Sequence, residues 1–147
     1  HSTFHKGKAP KLGTSSYTDP EEAREFQRKT GVEALAVLIG TVHGVYKKNP
    51  RLNIERLQGI KKRVPCFMVL HGGSGTPERD LLQAVKTGVV KVNVSTQLRT
   101  AFTETLRATL KKNPEEVTPY KILLPSILAV QKASERHIQF LGSANKV

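Results

Sequence analysis

The sequence predicts an α/β fold built on a parallel sheet, and three observations carry that expectation. Short apolar runs of strand length (Ala34–Ile39, Phe67–Leu70 and Val89–Val94) alternate with longer stretches of helical pattern. The first run, Ala-Leu-Ala-Val-Leu-Ile, has no polar alternation, which suits a strand buried on both faces of a parallel sheet. Each run ends in polar or glycine-rich residues, and in such folds function gathers at the carboxyl ends of the strands.

Residues 1–16 are polar and basic without a period of either kind, so they are expected to form an irregular arm. Residues 17–147 are expected to form the α/β region. Thr18-Asp19-Pro20-Glu21-Glu22 is a helix start: a capping residue, a proline in the first turn and acids at the positive dipole end. That helix runs to about Lys29 and stops at Thr30-Gly31. After the Ala34–Ile39 strand comes a basic loop with Lys47, Lys48 and Arg51, whose charges are expected to be solvated. A helix from about Asn53 to Arg63 follows, with Ile54, Leu57 and Ile60 on one face. The Phe67–Leu70 strand leads to a helix over Thr76–Lys86 with Leu81, Leu82 and Val85 on its apolar side. Val89–Val94 leads to a helix from Gln97 to about Lys112, ended by Asn113-Pro114. The last helix begins near Pro119, is interrupted or restarted at Pro125, and reaches about Leu141. Ile127, Val130 and Ile138 are its expected inward residues.

Composition narrows the function classes. At 147 residues with 37% hydrophobic content, the chain is the size of one modest soluble domain. No apolar run approaches the roughly 18–20 residues that span a bilayer, and no signal-peptide pattern is present. The chain opens on His1 rather than Met, so it is not expected to be a complete natural N-terminus. A single cysteine, Cys66, excludes an internal disulfide and a cysteine zinc site and fits a reducing, cytoplasmic setting. The formal charge of +12 favours anionic partners such as phosphorylated metabolites. Its scatter, with eight Phe and Tyr and no Trp, argues against a nucleic-acid role.

The three strand ends carry the chemistry: His43 with Gly44, then His71 with Gly72–Gly75, then Asn93 with Ser95 and Thr96. Neighbouring strands lie about 4.8 Å apart, so two imidazoles on adjacent ends can reach one ion, and imidazole suits zinc. A lone histidine is more often a hydrogen-bonded or solvated ring; the paired placement favours metal. No motif surrounds His1, His5 or His137 to name a third ligand. Gly72–Gly75 with Ser74 offers N–H and hydroxyl donors for a phosphate, although a glycine cluster also makes a simple tight turn. Ser95 and Thr96 serve as readily to cap a helix as to bind. Asn93 on a valine-rich strand needs hydrogen-bond partners, and a ligand hydroxyl is a suitable one.

Gly40-Thr41-Val42-His43-Gly44, Leu70-His71-Gly72-Gly73-Ser74-Gly75 and Lys91-Val92-Asn93-Val94-Ser95-Thr96 together resemble the late strand-end motifs of class II zinc-dependent aldolases. The fructose- and tagatose-bisphosphate aldolases are the nearest sub-group. Thr18–Ala23 and Gly142–Lys146 extend the likeness over roughly residues 17–147. The resemblance implies the last three βα units and terminal helices of a TIM (β/α)8 barrel, a fold of about 250 residues. It implies His43 and His71 as two of three zinc ligands. It also implies Gly44, Gly72, Gly73 and Ser74 around the substrate phosphate and a monovalent cation, Asn93 and Val94 beside the dihydroxyacetone part, and Ser95 and Thr96 completing the phosphate site. In the family, zinc polarises the ketone and stabilises the enediolate formed on carbon–carbon cleavage. The substrates implied are a phosphorylated ketose and dihydroxyacetone phosphate.

The departures define what is absent. The family's catalytic aspartate precedes its first zinc ligand in an Asp-His pair; no such pair occurs here, and Asp19 and Asp80 are at helix starts. Residues 1–16 lack the acidic segment that precedes the Thr-Asp-Pro helix in the family, and Ser95 stands where relatives more often carry Asp or Asn. The expected partner is therefore the missing N-terminal barrel half or a homo-oligomer, with this chain inactive alone. The alternative is a non-catalytic, barrel-derived module that binds phosphate or polyanions.

Overall fold

A computed structural model describes residues 13–41 and 51–146. The chain divides into two compact units, His1–Val94 and Ser95–Val147. Among the described residues, the first unit holds α1 (Pro20–Thr30), β1 (Ala34–Val37), α2 (Ile54–Arg63), β2 (Phe67–Leu70), α3 (Glu78–Thr87) and β3 (Val89–Val92). Two short 3₁₀ turns, Thr14–Ser16 and Gly73–Gly75, complete it; the former falls within the stretch expected to be irregular. The second unit holds α4 (Thr96–Lys112) and α5 (Pro119–Phe140).

Local chemistry sets the helix ends. Asp19 caps α1, its Oδ1 accepting from the N–H groups of Glu21 (2.8 Å) and Glu22 (3.2 Å). These two N–H groups, Glu22's first, hold the Asp19 carboxyl below its ordinary value, with Arg56 and Arg63 adding to the effect. Gly31 ends α1 in the left-handed region at φ 68°. The basic last turn of α2, Lys61-Lys62-Arg63, meets the negative dipole end.

The three strands are all parallel and lie in the order β1-β2-β3. In a parallel sheet such crossovers are as a rule right-handed, which puts the helices of successive units on one face, and α2 and α3 do contact each other. The register tells which face. Leu35 pairs with Met68 and Val37 with Leu70, while Ala34 pairs with Phe67 and Ala36 with Val69. Met68 and Leu70 are fully buried, as are Leu57 and Ile60 of α2 and Ala84 of α3, so the core lies between this face and the helices. On the opposite face Ala34, Ala36 and Lys91 are exposed and Phe67 is 60% exposed, while Val69, on the central strand, is buried. β1 is therefore not buried on both faces as its unbroken apolar run predicts: Ala34 and Ala36 are exposed and Val37 is buried. Between Met68–Val89 and Val69–Lys91 the register slips by one residue, leaving Val90 as an exposed bulge on β3.

Three further expectations change. Leu82 of α3 is exposed, and Ala84 takes its place in the core beside Leu81. α5 is continuous through Pro125. An interior proline removes one hydrogen bond and costs about 3 kcal/mol, yet the 22-residue helix runs on past it. Within the second unit α5 packs on α4 through one stripe, where Ser126 is fully buried. Ile127 and Ile138, expected inward, are exposed, since a helix pair can bury only one side of each helix. No helix among the described residues is long and apolar enough to cross a membrane.

Candidate functional site

The site is built where β2 and β3 end. Side chains alternate along a strand, so Phe67, Val69 and His71 share the face that carries Lys91 and Asn93. Backbone bonds extend the ladder past the strand ends: the Asn93 N–H donates to the Leu70 carbonyl at 2.9 Å, and the Gly73 N–H donates to the Asn93 carbonyl at 3.0 Å. Asn93 is thereby clamped between the last residue of β2 and the turn that follows.

The turn needs its glycines for separate reasons. Gly72 has φ 73°, a conformation costly for a side chain. A Cβ on Gly73 would stand 2.5 Å from Val92 Cγ1, 3.1 Å from the Asn93 carbonyl oxygen and 3.4 Å from Val94 Cγ2. Gly75 and Thr76 donate their N–H groups back to Gly72 and Gly73, and the Thr76 hydroxyl donates to the Gly72 carbonyl at 3.2 Å. Ser74 is buried inside the turn.

Asn93 joins the two ends through its side chain. Its Oδ1 accepts from the Lys91 ammonium at 2.9 Å. Its Nδ2 lies 3.4 Å from both ring nitrogens of the exposed His71. A nitrogen equidistant from both cannot lie along the lone pair of either, because those lone pairs diverge. The amide thus rests against the imidazole and leaves its coordination directions pointing elsewhere. Lys91 was not singled out from the sequence; its spacing of two from Asn93 was the available signal.

The structure brings together His71, Gly72, Gly73, Ser74, Asn93 and Val94. His43 and Gly44, with Lys47 and Lys48, lie outside the described residues. Ser95 and Thr96 open α4 in the second unit, and Ser95 stands at its N-cap without a side-chain capping bond. Arg51 pairs with Asp80 at 3.0 Å, and the other Asp80 oxygen accepts the Leu52 N–H at 3.1 Å, so this arginine is tied to α3. In the second unit His137 has Nδ1 2.7 Å from the Ala133 carbonyl oxygen and Nε2 2.7 Å from Gln97 Oε1. Both of its nitrogens are occupied. Among the described residues no cluster of three His, Cys, Asp or Glu side chains is disposed to hold a metal. A groove of about 370 Å³ lined by Gln27, Glu33, Lys61, Cys66 and Phe67 lies at the amino ends of β1 and β2, away from this site. Burial pushes the Cys66 thiol above its ordinary pKa.

Comparison with known proteins converges on one group. The family model described as fructose-bisphosphate aldolase class-II matches residues 5–146. The chain is 40% identical over 126 residues to the D-tagatose-1,6-bisphosphate aldolase subunit GatY of Klebsiella oxytoca, spanning 86% of this chain and 44% of that relative. Similar solved structures include the YdjI aldolase of Escherichia coli K12, with TM-score 0.74 and 33% identity over 88% of this chain and 47% of that one. The fructose-bisphosphate aldolase of Campylobacter jejuni has TM-score 0.76 and 28% identity over 90% of this chain and 47% of its own. The chain spans about half the length of these relatives.

Proposed function

The chain belongs to the class II fructose-bisphosphate aldolase family, its parallel sheet being part of that family's (β/α)8 barrel, and from that premise we propose a role for the open sheet face. It is one wall of a site for reversible aldol cleavage of a ketose 1,6-bisphosphate to dihydroxyacetone phosphate and glyceraldehyde 3-phosphate. The observation that carries this is the meeting of His71, the Gly72–Gly75 turn and Asn93 at adjoining carboxyl ends of β2 and β3.

Asn93 Nδ2 donates to an oxygen of the dihydroxyacetone part. Gly72 and Ser74 line the substrate phosphate and a neighbouring monovalent cation. Gly73 contributes by having no side chain, since its own N–H is bonded to the Asn93 carbonyl. The described residues supply one imidazole to a metal, so a zinc site requires His71, His43 and a third ligand from the rest of the barrel. A zinc ion held there supplies Lewis-acid polarisation of a ketone carbonyl. Neither aspartate of this chain serves as the proton-transfer group, because Asp19 and Asp80 both accept backbone N–H groups at helix starts. That group comes from the remaining strands, on the same polypeptide or on a partner.

The test is reconstitution. The chain is combined with a segment supplying the other barrel strands, and cleavage of fructose and tagatose 1,6-bisphosphates is measured with zinc and after chelation. We expect activity on at least one substrate, lost on chelation, restored by zinc and abolished by His71→Ala. A folded, zinc-loaded complex inactive toward both substrates removes the proposal.

A further inference from the structure

We propose that Lys91 is a positioning residue that presents Asn93 as a hydrogen-bond donor to an oxygen of the bound ligand, an inference that rests on the aldolase reading of this face. An asparagine amide turned by 180° exchanges its donor and acceptor with almost no change of shape, so packing alone does not choose between the two orientations. Lys91 does. An ammonium has three donors and no acceptor, so at 2.9 Å it tolerates only Oδ1. The reversed amide would set N–H groups against N–H groups. With Oδ1 held by Lys91, Nδ2 is committed to the His71 side, 3.4 Å from the ring.

The two residues can meet because positions 91 and 93 share one face of a strand end, and that face is the open one. The Asn93 backbone is fixed at both its N–H and its carbonyl, so the side-chain torsion is the remaining freedom, and Lys91 removes it. A charged donor on Oδ1 also polarises the amide and strengthens donation from Nδ2. The ligand class follows. An Asn93 held this way favours a hydroxylate, carbonyl or phosphate oxygen and disfavours a group that only donates.

The test reads the Asn93 side-chain amide by ¹⁵N NMR in the full chain, comparing wild type with Lys91→Met and Lys91→Arg. Lys91 is exposed, so neither change disturbs the core. We expect Lys91→Met to shift the amide signals and loosen the side chain to an order parameter below about 0.6, and Lys91→Arg, which still only donates, to keep it ordered. In the reconstituted enzyme, Lys91→Met should lower kcat/KM about tenfold, the worth of one hydrogen bond. It should cost nothing more when Asn93 is already alanine. An Asn93 amide unmoved by Lys91→Met, or losses that add in the double variant, overturns the proposal. The amide readout needs no substrate. A moved amide in an inactive complex therefore supports the positioning role and removes only the aldolase reading.

Discussion

Gly73 holds the candidate site together by what it lacks. Its N–H reaches the Asn93 carbonyl only because no Cβ separates the turn from β3, where Val92 would be met at 2.5 Å. Gly73→Ala must push Val92 aside or pull the turn off the strand. Such overpacking costs about 1–3 kcal/mol. Urea denaturation should show that loss, and Gly31→Ala, where a Cβ meets nothing within 4 Å, serves as the comparison for left-handed strain without a clash. If Gly73→Ala unfolds at the wild-type midpoint, the close approach is not stabilising. The sequence marked Gly73 as part of a glycine cluster suited to a phosphate. It could not distinguish a glycine needed for φ (Gly72) from one needed for room (Gly73), because that depends on which β3 residue crosses the turn. Lys91 is illegible in the sequence for a similar reason: a lysine in a strand usually reads as a solvated charge, and only the pairing with Asn93 gives it a task.

At the scale of elements, the starts and stops were legible where one side chain decides them. Asp19-Pro20 and Gly31 bound α1 through local bonds, and the structure has those bonds. Pro125 was not, because whether a proline breaks a helix depends on the helix either side and the partner packed against it. The approach to α5 also contains a pH-sensitive contact. Glu116 Oε1 accepts the Thr118 N–H at 3.0 Å and Oε2 pairs with Lys121 at 3.1 Å. The Thr118 hydroxyl first, then its N–H and the Lys121 ammonium, hold the Glu116 carboxyl down to about 2 from its ordinary 4.5. The folded-state value is depressed, so the stabilisation is present above the unfolded value and is lost as pH falls through the folded one. Glu116→Gln should therefore melt below wild type at pH 6 and converge on it as pH drops from about 4.5 to 2. Thermal melts monitored by circular dichroism check this, and a gap unchanged at pH 2 refutes it.

For the whole molecule, the decisive feature is the sheet of the first unit, whose outer strands each pair on one side only and one face of which carries the exposed Ala34, Ala36 and Phe67. Phe67, at the amino end of the central strand β2, is exposed on that face. The unbroken apolar run of β1 could not reveal this, since burial on both faces and burial on one read alike when the outer face carries alanines. A closed barrel has neither edges nor an open face. Opposing self-association is the formal charge of +12. Salt weakens that repulsion, as the screening length falls from about 10 Å at 0.1 M to about 3 Å at 1 M, while leaving apolar attraction in place. The chain alone should therefore associate more strongly as salt rises, the reverse of an assembly held by surface ion pairs. Phe67→Lys should suppress that association without changing helix content, because the residue lies outside the core. Sedimentation velocity across salt concentrations reads both effects. A mass independent of salt, or association unaffected by Phe67→Lys, would show that the open face is not the sticky one. Addition of the complementary barrel strands should abolish the salt-driven association in the same experiment, since the surface that drives it would then be enclosed.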